Sequence, residues 1–161
     1  MNKIIVIGCP GSGKSTFSKA LQVKIGLPLY HLDMLFWNND KTHVTREVFD
    51  QRLSEILNQD KWIIDGNYSR TLETRINACD TVFLLDLPVC DCLIGANNRI
   101  GKPRDDMPWI EQELDDEFKN FILNFPQNEL PRIYELLKKH SSKTVIIFNS
   151  HSQIEEYLEK T

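Results

Sequence analysis

Apolar positions along this chain follow two alternating rhythms. Short runs rich in β-branched and aromatic residues, Ile4-Ile5-Val6-Ile7, Leu29-Tyr30-His31-Leu32, Lys61-Trp62-Ile63-Ile64, Thr81-Val82-Phe83-Leu84-Leu85 and Thr144-Val145-Ile146-Ile147-Phe148, read as buried strands. Between them apolar residues recur every three or four positions, which predicts helices. The first carries Phe17, Ala20, Leu21 and Ile25, the next Phe49, Leu53, Ile56 and Leu57 after an N-cap at Thr45, and a third, from about Ser69, Leu72 and Ile76. A helix with Pro88 at its first position holds Val89, Leu93 and Ile100. Another, from about Trp109 to Phe125, stripes Leu114, Phe118, Phe121, Ile122 and Phe125 and stops at Pro126. One more runs from about Glu129 to His140, and Ser152 with Glu155 forms a capping box for a terminal helix. Five strands alternating with helices predict an α/β fold, a five-stranded parallel sheet with helices on both faces. Ligands of such sheets bind beyond the C-terminal strand ends.

Composition narrows this picture. A chain of 161 residues, 41% hydrophobic and 26% charged, suits one domain over residues 1–161, with a substrate-side helical segment at about 34–60. The net charge is −4 and no cluster of five or more Lys and Arg occurs, so direct DNA binding is not expected. No apolar run approaches the roughly 18 residues of a membrane span, and the N-terminus runs straight into the first strand without a secretion signal. Cys90 and Cys92 fall about 200° apart on a helix, which argues against a metal site or redox pair. Reduced thiols in a cytoplasmic protein are expected.

Candidate chemistry begins at Gly8-Cys9-Pro10-Gly11-Ser12-Gly13-Lys14-Ser15, which has GxxxxGK[ST] spacing and lies between the first strand and the first helix. A strand turning through glycines into a helix aims backbone N–H groups and the positive helix end at one concavity. We therefore expect a P-loop nucleoside triphosphate hydrolase fold in which Gly8, Pro10, Gly11, Ser12, Gly13, Lys14, Ser15 and Thr16 cradle ATP. Lys14 is expected to reach the β and γ phosphates and Ser15 to ligate Mg²⁺. No NKxD segment follows the fourth strand, which argues against guanine specificity.

Three aspartates sit at strand ends. Asp65, followed by Gly66, has the position of a carboxylate that orients metal-bound water; Asp86 competes for that role or merely anchors the helix at Pro88. Asp33 is either the base that takes a proton from an attacking hydroxyl or a turn residue, and His31 reads as packing at a strand end. Arg99 and Arg104 flank Gly101 and Pro103 in a loop at about 99–110, which predicts a short lid over the γ-phosphate; its alternative is a solvated charged loop. Lys14, Arg99, Arg104 and Asp33 are thus the catalytic candidates. For a phosphorylated acceptor, Arg70 and Arg75 are the nearest anion-binding candidates.

These motifs resemble the adenylate-kinase-like branch of P-loop kinases. The loop GCPGSGKST matches it, Asp65-Gly66 followed by Arg70 resembles its DG…R segment, and Arg99 with Arg104-Asp105-Asp106 resembles a shortened lid with an R-x-DD ending. Within that branch, HLDMLFW at 31–37, WIIDGNYSRTLETR at 62–75 and RDDM before FKNFILNFP at 118–126 resemble the DNA topology modulation (FlaR-related) group. The resemblance implies a Mg-ATP-dependent phosphotransferase, with adenine against Asn149-Ser150-His151-Ser152 and Arg99. It also implies an effect on DNA topology, read here as indirect, and hence an alternative: an ATP-binding regulatory protein with slow ATPase activity. The short lid and the bulky aromatics beside Asp33 depart from true adenylate kinases. A nucleotide and a small hydroxyl-bearing compound both stay open as acceptor.

Overall fold

The computed structural model describes residues 1–161, with strands β1 (Lys3–Gly8), β2 (Leu29–His31), β3 (Trp62–Asp65), β4 (Thr81–Leu85) and β5 (Thr144–Phe148). All pair in parallel, in the order β2-β3-β1-β4-β5, with Val6 opposite Asp65 and Gly8 opposite Leu85. The helices are α1 (Lys14–Ile25), α2 (Leu32–Phe36), α3 (Arg46–Leu57), α4 (Ser69–Ala78), α5 (Val89–Asn98), α6 (Asp116–Asn128), α7 (Leu130–Lys139) and α8 (His151–Lys160). Right-handed crossovers place α1, leading from β1 toward the β2 edge, on one face; α4 to α7, leading toward the β5 edge, lie on the other.

Sheet and helices meet as the sequence rhythm requires. Ile4 to Ile7, Trp62 to Ile64 and Val82 to Leu85 are buried, as continuous apolar runs must be in a sheet covered on both sides. On the α1 face, Phe17, Phe83, Phe148 and Tyr157 of α8 form a ring cluster with centroids 4.9–6.4 Å apart. The neighbours β1 and β3 send the chain to opposite faces, so the sheet opens for a ligand between their C-terminal ends.

Several boundaries differ from expectation. The second strand stops at His31, and Leu32 opens α2, so Asp33 lies in the first turn of a short helix and not at a strand end. The helix expected from Trp109 starts at Asp116, because Asp115 caps it by accepting the Phe118 N–H at 2.7 Å. Residues 99–115 therefore form one long loop, folded back on itself where the Gly101 N–H donates to the Glu111 carbonyl at 2.7 Å. Nor does the helix end at Pro126: α6 continues to Asn128. Pro126 brings no N–H to the Ile122 carbonyl one turn back, and that carbonyl accepts the Cys9 thiol at 4.0 Å instead. The terminal helix is capped by Ser150, which accepts the Gln153 N–H at 3.3 Å, while Gln153 returns a bond to the Asn149 N–H at 2.7 Å. This pair takes the part expected of Ser152 and Glu155. Pro88 stands one position before its helix, as the N-cap.

Thr45 caps α3 as its position predicts, accepting from the Val48 N–H. All four cysteines are free, Cys90 exposed and Cys92 buried. No helix is long and apolar enough to cross a membrane.

Candidate active site

The phosphate-binding loop is held from two sides. Asn67 Oδ1 accepts the Gly8 N–H at 3.1 Å. On the other side the loop seats against α5 so closely that a Cβ on Gly11 would lie 2.0 Å from the Cys92 carbonyl oxygen, and one on Gly95 2.0 Å from the Gly11 carbonyl oxygen. Gly11 also has φ 82°, a left-handed conformation that favours glycine. Lys14 Nζ arches back and donates to the Cys9 carbonyl at 3.0 Å, and burial holds its ammonium below the ordinary lysine pKa.

Three chain segments converge on the Ser15 hydroxyl. Its Oγ lies 2.7 Å from Asp65 Oδ2, at the end of β3, and 2.6 Å from Asp106 Oδ2, in the loop 99–115. His31 Nδ1 meets the same Asp65 oxygen at 2.8 Å, so this histidine belongs to the cluster and does more than pack. A hydroxyl has one proton, which serves only one carboxylate at a time. Three hard oxygens drawn this close suit a magnesium ion. Burial raises the Asp106 pKa, but the Ser15 hydrogen bond and the Arg104 charge outweigh it and hold the carboxyl below its ordinary value. Asp86 is occupied elsewhere: its carboxylate accepts the Tyr134 hydroxyl proton of α7 and its carbonyl the Asn149 amide.

The loop 99–115 lies over the phosphate loop, the position expected of a lid. Arg99 Nε donates to Glu111 Oε2 at 3.0 Å, with its guanidinium 5.5 Å from the Phe118 ring centroid; Arg104 lies 3.6 Å from both Asp106 and Glu111. At the outer edge Lys19 pairs with Asp105 at 2.6 Å. Glu111, which the sequence did not single out, therefore holds both lid arginines.

Two cavities meet beneath this lid. One, of about 610 Å³, is lined by Gly11, Gly13, Thr16, Lys19, Arg104 and His151; the other, of about 600 Å³, by Asp33, Trp37, Asn67, Tyr68, Trp109 and Phe118 among others. Lys14, Ser15, Arg99 and Asp106 line both. Three of these four come from the motif and loop arginine anticipated in the sequence, and together the four form the wall that the two cavities share.

Asp33 faces the second cavity, and Tyr68 donates to its Oδ1 at 2.6 Å. Burial, and then the charge of Asp65, push the Asp33 pKa up against the opposing effect of this hydrogen bond. Tyr68 itself has φ 38°, a strained conformation for a non-glycine residue. The fully buried Arg75 holds it there by donating to the carbonyls of Gly66 at 2.9 Å, of Asn67, and of Tyr68 at 3.1 Å. Burial lowers the Arg75 pKa to about 9. Arg75 thus does not reach the cavity, contrary to expectation. Arg70 does not either: it is exposed and forks onto Asp50 of α3 at 2.6 and 3.1 Å. Tyr68, Trp37 and Trp109 escaped the sequence reading because aromatics near a turn look like core.

No protein-family model matches the chain, and no curated protein sequence matches it. Solved structures do. A shikimate kinase from Bacteroides thetaiotaomicron superposes with TM-score 0.57 at 20% identity, over 98% of this chain and 94% of that one. A gluconokinase from Sinorhizobium meliloti 1021 gives 0.58 at 12% identity over 99% and 88%, and a shikimate kinase from Aquifex aeolicus gives 0.55 at 18% over 98% and 91%. At such identities the likeness concerns the backbone: this chain has the P-loop nucleoside triphosphatase fold that shikimate kinase and gluconokinase share.

Proposed function

We propose that this protein is a Mg-ATP-dependent small-molecule kinase that transfers the γ-phosphoryl group of ATP to a hydroxyl of its acceptor. The observation that carries this reading is the meeting of two cavities at Lys14, Ser15, Arg99 and Asp106, with a carboxylate, Asp33, in the cavity away from the nucleotide. A hydrolase needs room for water only. A second cavity of about 600 Å³ suits a whole acceptor molecule. The fold likeness to a shikimate kinase and a gluconokinase supports the same reaction class.

In this reading ATP lies with its phosphates in the loop Gly8–Thr16 and its base toward His151. Magnesium fits the oxygens of Ser15, Asp65 and Asp106 and supplies charge neutralisation on the phosphoryl oxygens when bound. Lys14 leaves the Cys9 carbonyl for the β and γ phosphates. Arg99, with Arg104 behind it, neutralises charge on the transferred group, and the lid excludes water. Asp33 accepts the acceptor's hydroxyl proton as the new O–P bond forms and the bond to the β-phosphate oxygen breaks, releasing ADP. The raised pKa of Asp33 makes it a stronger base than an ordinary carboxylate. Asp33 inside the cavity, with Arg70 and Arg75 outside it, favours a hydroxyl acceptor over a nucleoside monophosphate.

The test is a coupled ADP-release assay over hydroxyl compounds and nucleoside monophosphates, repeated with Lys14→Ala. We expect acceptor-dependent ADP release that Lys14→Ala abolishes while its circular dichroism spectrum stays native. Acceptor-independent ADP release, unchanged across the whole panel, overturns the kinase reading.

A further inference from the structure

The acceptor cavity is ringed by aromatic side chains and carboxylates, and nearly every cation near it is already engaged. Trp37 and Trp109 meet edge to face with centroids 5.8 Å apart, and Tyr68 and Phe118 add further ring surface. Asp33, Glu113 and Asp115 line this cavity and not its neighbour. Against them, the His31 ring is held by Asp65, and Arg99, whose Nε is held by Glu111, belongs with Lys14 to the phosphates in the kinase reading. Arg70 is paired with Asp50, and Arg75 is spent on backbone carbonyls. That leaves Lys41, an exposed side chain whose ammonium stands 5.2 Å from the Trp109 ring centroid.

A site that selects a carboxylate or phosphate presents fixed cationic forks to it. This one presents the opposite sign, which repels an anion and tolerates a neutral or positively charged molecule. Flat aromatic walls favour a ring with an apolar face, and Lys41 over Trp109 displays the affinity of that wall for a cation. Resting on the kinase reading above, we propose that the acceptor is a non-anionic, ring-bearing alcohol of sugar or nucleoside size, uncharged or carrying an amine. Ring acids and nucleoside monophosphates are excluded by charge. Asp33 then meets the reacting hydroxyl, and Glu113, in the loop before α6, sets the charge preference at the far wall.

Matched probes separate charge from shape. Glucose, glucosamine and glucuronate share a ring and differ in charge, as do cytidine and cytidine monophosphate. With a non-hydrolysable Mg-ATP analogue in place, binding is read from the emission of Trp37 and Trp109; Trp62, the third tryptophan, is buried in β3. We expect the neutral or amine member of at least one set to bind at least tenfold more tightly than its anionic counterpart. Glu113→Lys, which changes an exposed residue, should narrow that gap at least threefold. An anionic member that binds as tightly as its neutral partner, or no saturable binding by any probe, overturns the proposal. Phosphoryl transfer followed by ³¹P NMR keeps the two readings apart. Charge-selective binding without transfer leaves this inference standing and counts against the kinase, whereas efficient transfer to glucuronate or cytidine monophosphate does the reverse.

Discussion

The Ser15 hydroxyl of the phosphate loop and the Asp106 carboxylate of the lid stand 2.6 Å apart. This contact joins two segments 91 residues apart in the chain and fastens the lid over the junction of the cavities. A hydrogen bond to a charged group contributes ~1.5–3 kcal/mol, and because Asp106 shares the Ser15 proton with Asp65 this is the upper bound, a shift in lid opening of up to roughly 10- to 100-fold. Asp106→Ala should therefore speed tryptic cleavage after Arg104, the lid residue that precedes Asp105, by up to that factor in the absence of nucleotide. Equal cleavage rates in the variant and the parent would show that the contact does not hold the lid.

Asp33 should prove costly to the fold and necessary to the reaction. Its pKa is raised in the folded state, so the native protein binds this proton more readily than the unfolded chain does. The sign follows: Asp33 contributes stability below its unfolded pKa of about 3.9, and that contribution is lost as pH rises through the higher folded value. Asp33→Asn, which keeps an acceptor for the Tyr68 hydroxyl, should raise Tm at pH 7, with the gain shrinking toward pH 4. Turnover should fall by about 10²- to 10⁴-fold with Mg-ATP affinity unchanged. A lower Tm at pH 7 would contradict the buried, raised carboxylate.

The two arginines of α4 should part company. Arg75→Met strands carbonyls that the guanidinium now satisfies and releases Tyr68 from its strained conformation, so urea denaturation should show a loss of ~3 kcal/mol or more. Arg70→Ala removes an exposed ion pair and should cost under ~1 kcal/mol. Acceptor KM should be unaffected by Arg70→Ala. A sharp rise would restore Arg70 to the acceptor site.

Gly95→Ala places a methyl group 2.0 Å from the Gly11 carbonyl oxygen, so either α5 or the phosphate loop must move. Overpacking of this kind costs ~1–3 kcal/mol. Denaturation midpoint and affinity for a fluorescent ATP analogue should both fall. A variant with native stability and native affinity would mean that the loop does not depend on this seat.

Much of this architecture was legible in the sequence because it is local. The run Ile4 to Ile7 must be a buried strand, GSGK must turn, and Phe17 to Ile25 must be a helix. The lid was misjudged at its far end: Leu114 and Phe118 share helical spacing, yet Asp115 is the better cap and moved the start of α6 past Leu114. Side-chain partners at long range were not legible at all. Nothing in the spacing of Arg75 says that its guanidinium turns inward to Gly66, Asn67 and Tyr68; nor does the position of Glu111 say that it gathers Arg99 and Arg104. Gly95 reads as an ordinary helix glycine until α5 is set against Gly11.

That seat makes α5 a lever with its fulcrum at the phosphate loop. Arg99 is the C-cap of the helix, four residues beyond Gly95 and so about 6 Å further along the axis. A tilt of about 10° around Gly95 carries Arg99 roughly 1 Å, a displacement on the scale that separates productive from unproductive alignment. In the proposed kinase, phosphates bound by the loop would press on the same fulcrum. On that proposal the ligand served by Arg99 is mechanically linked to the arm that carries it.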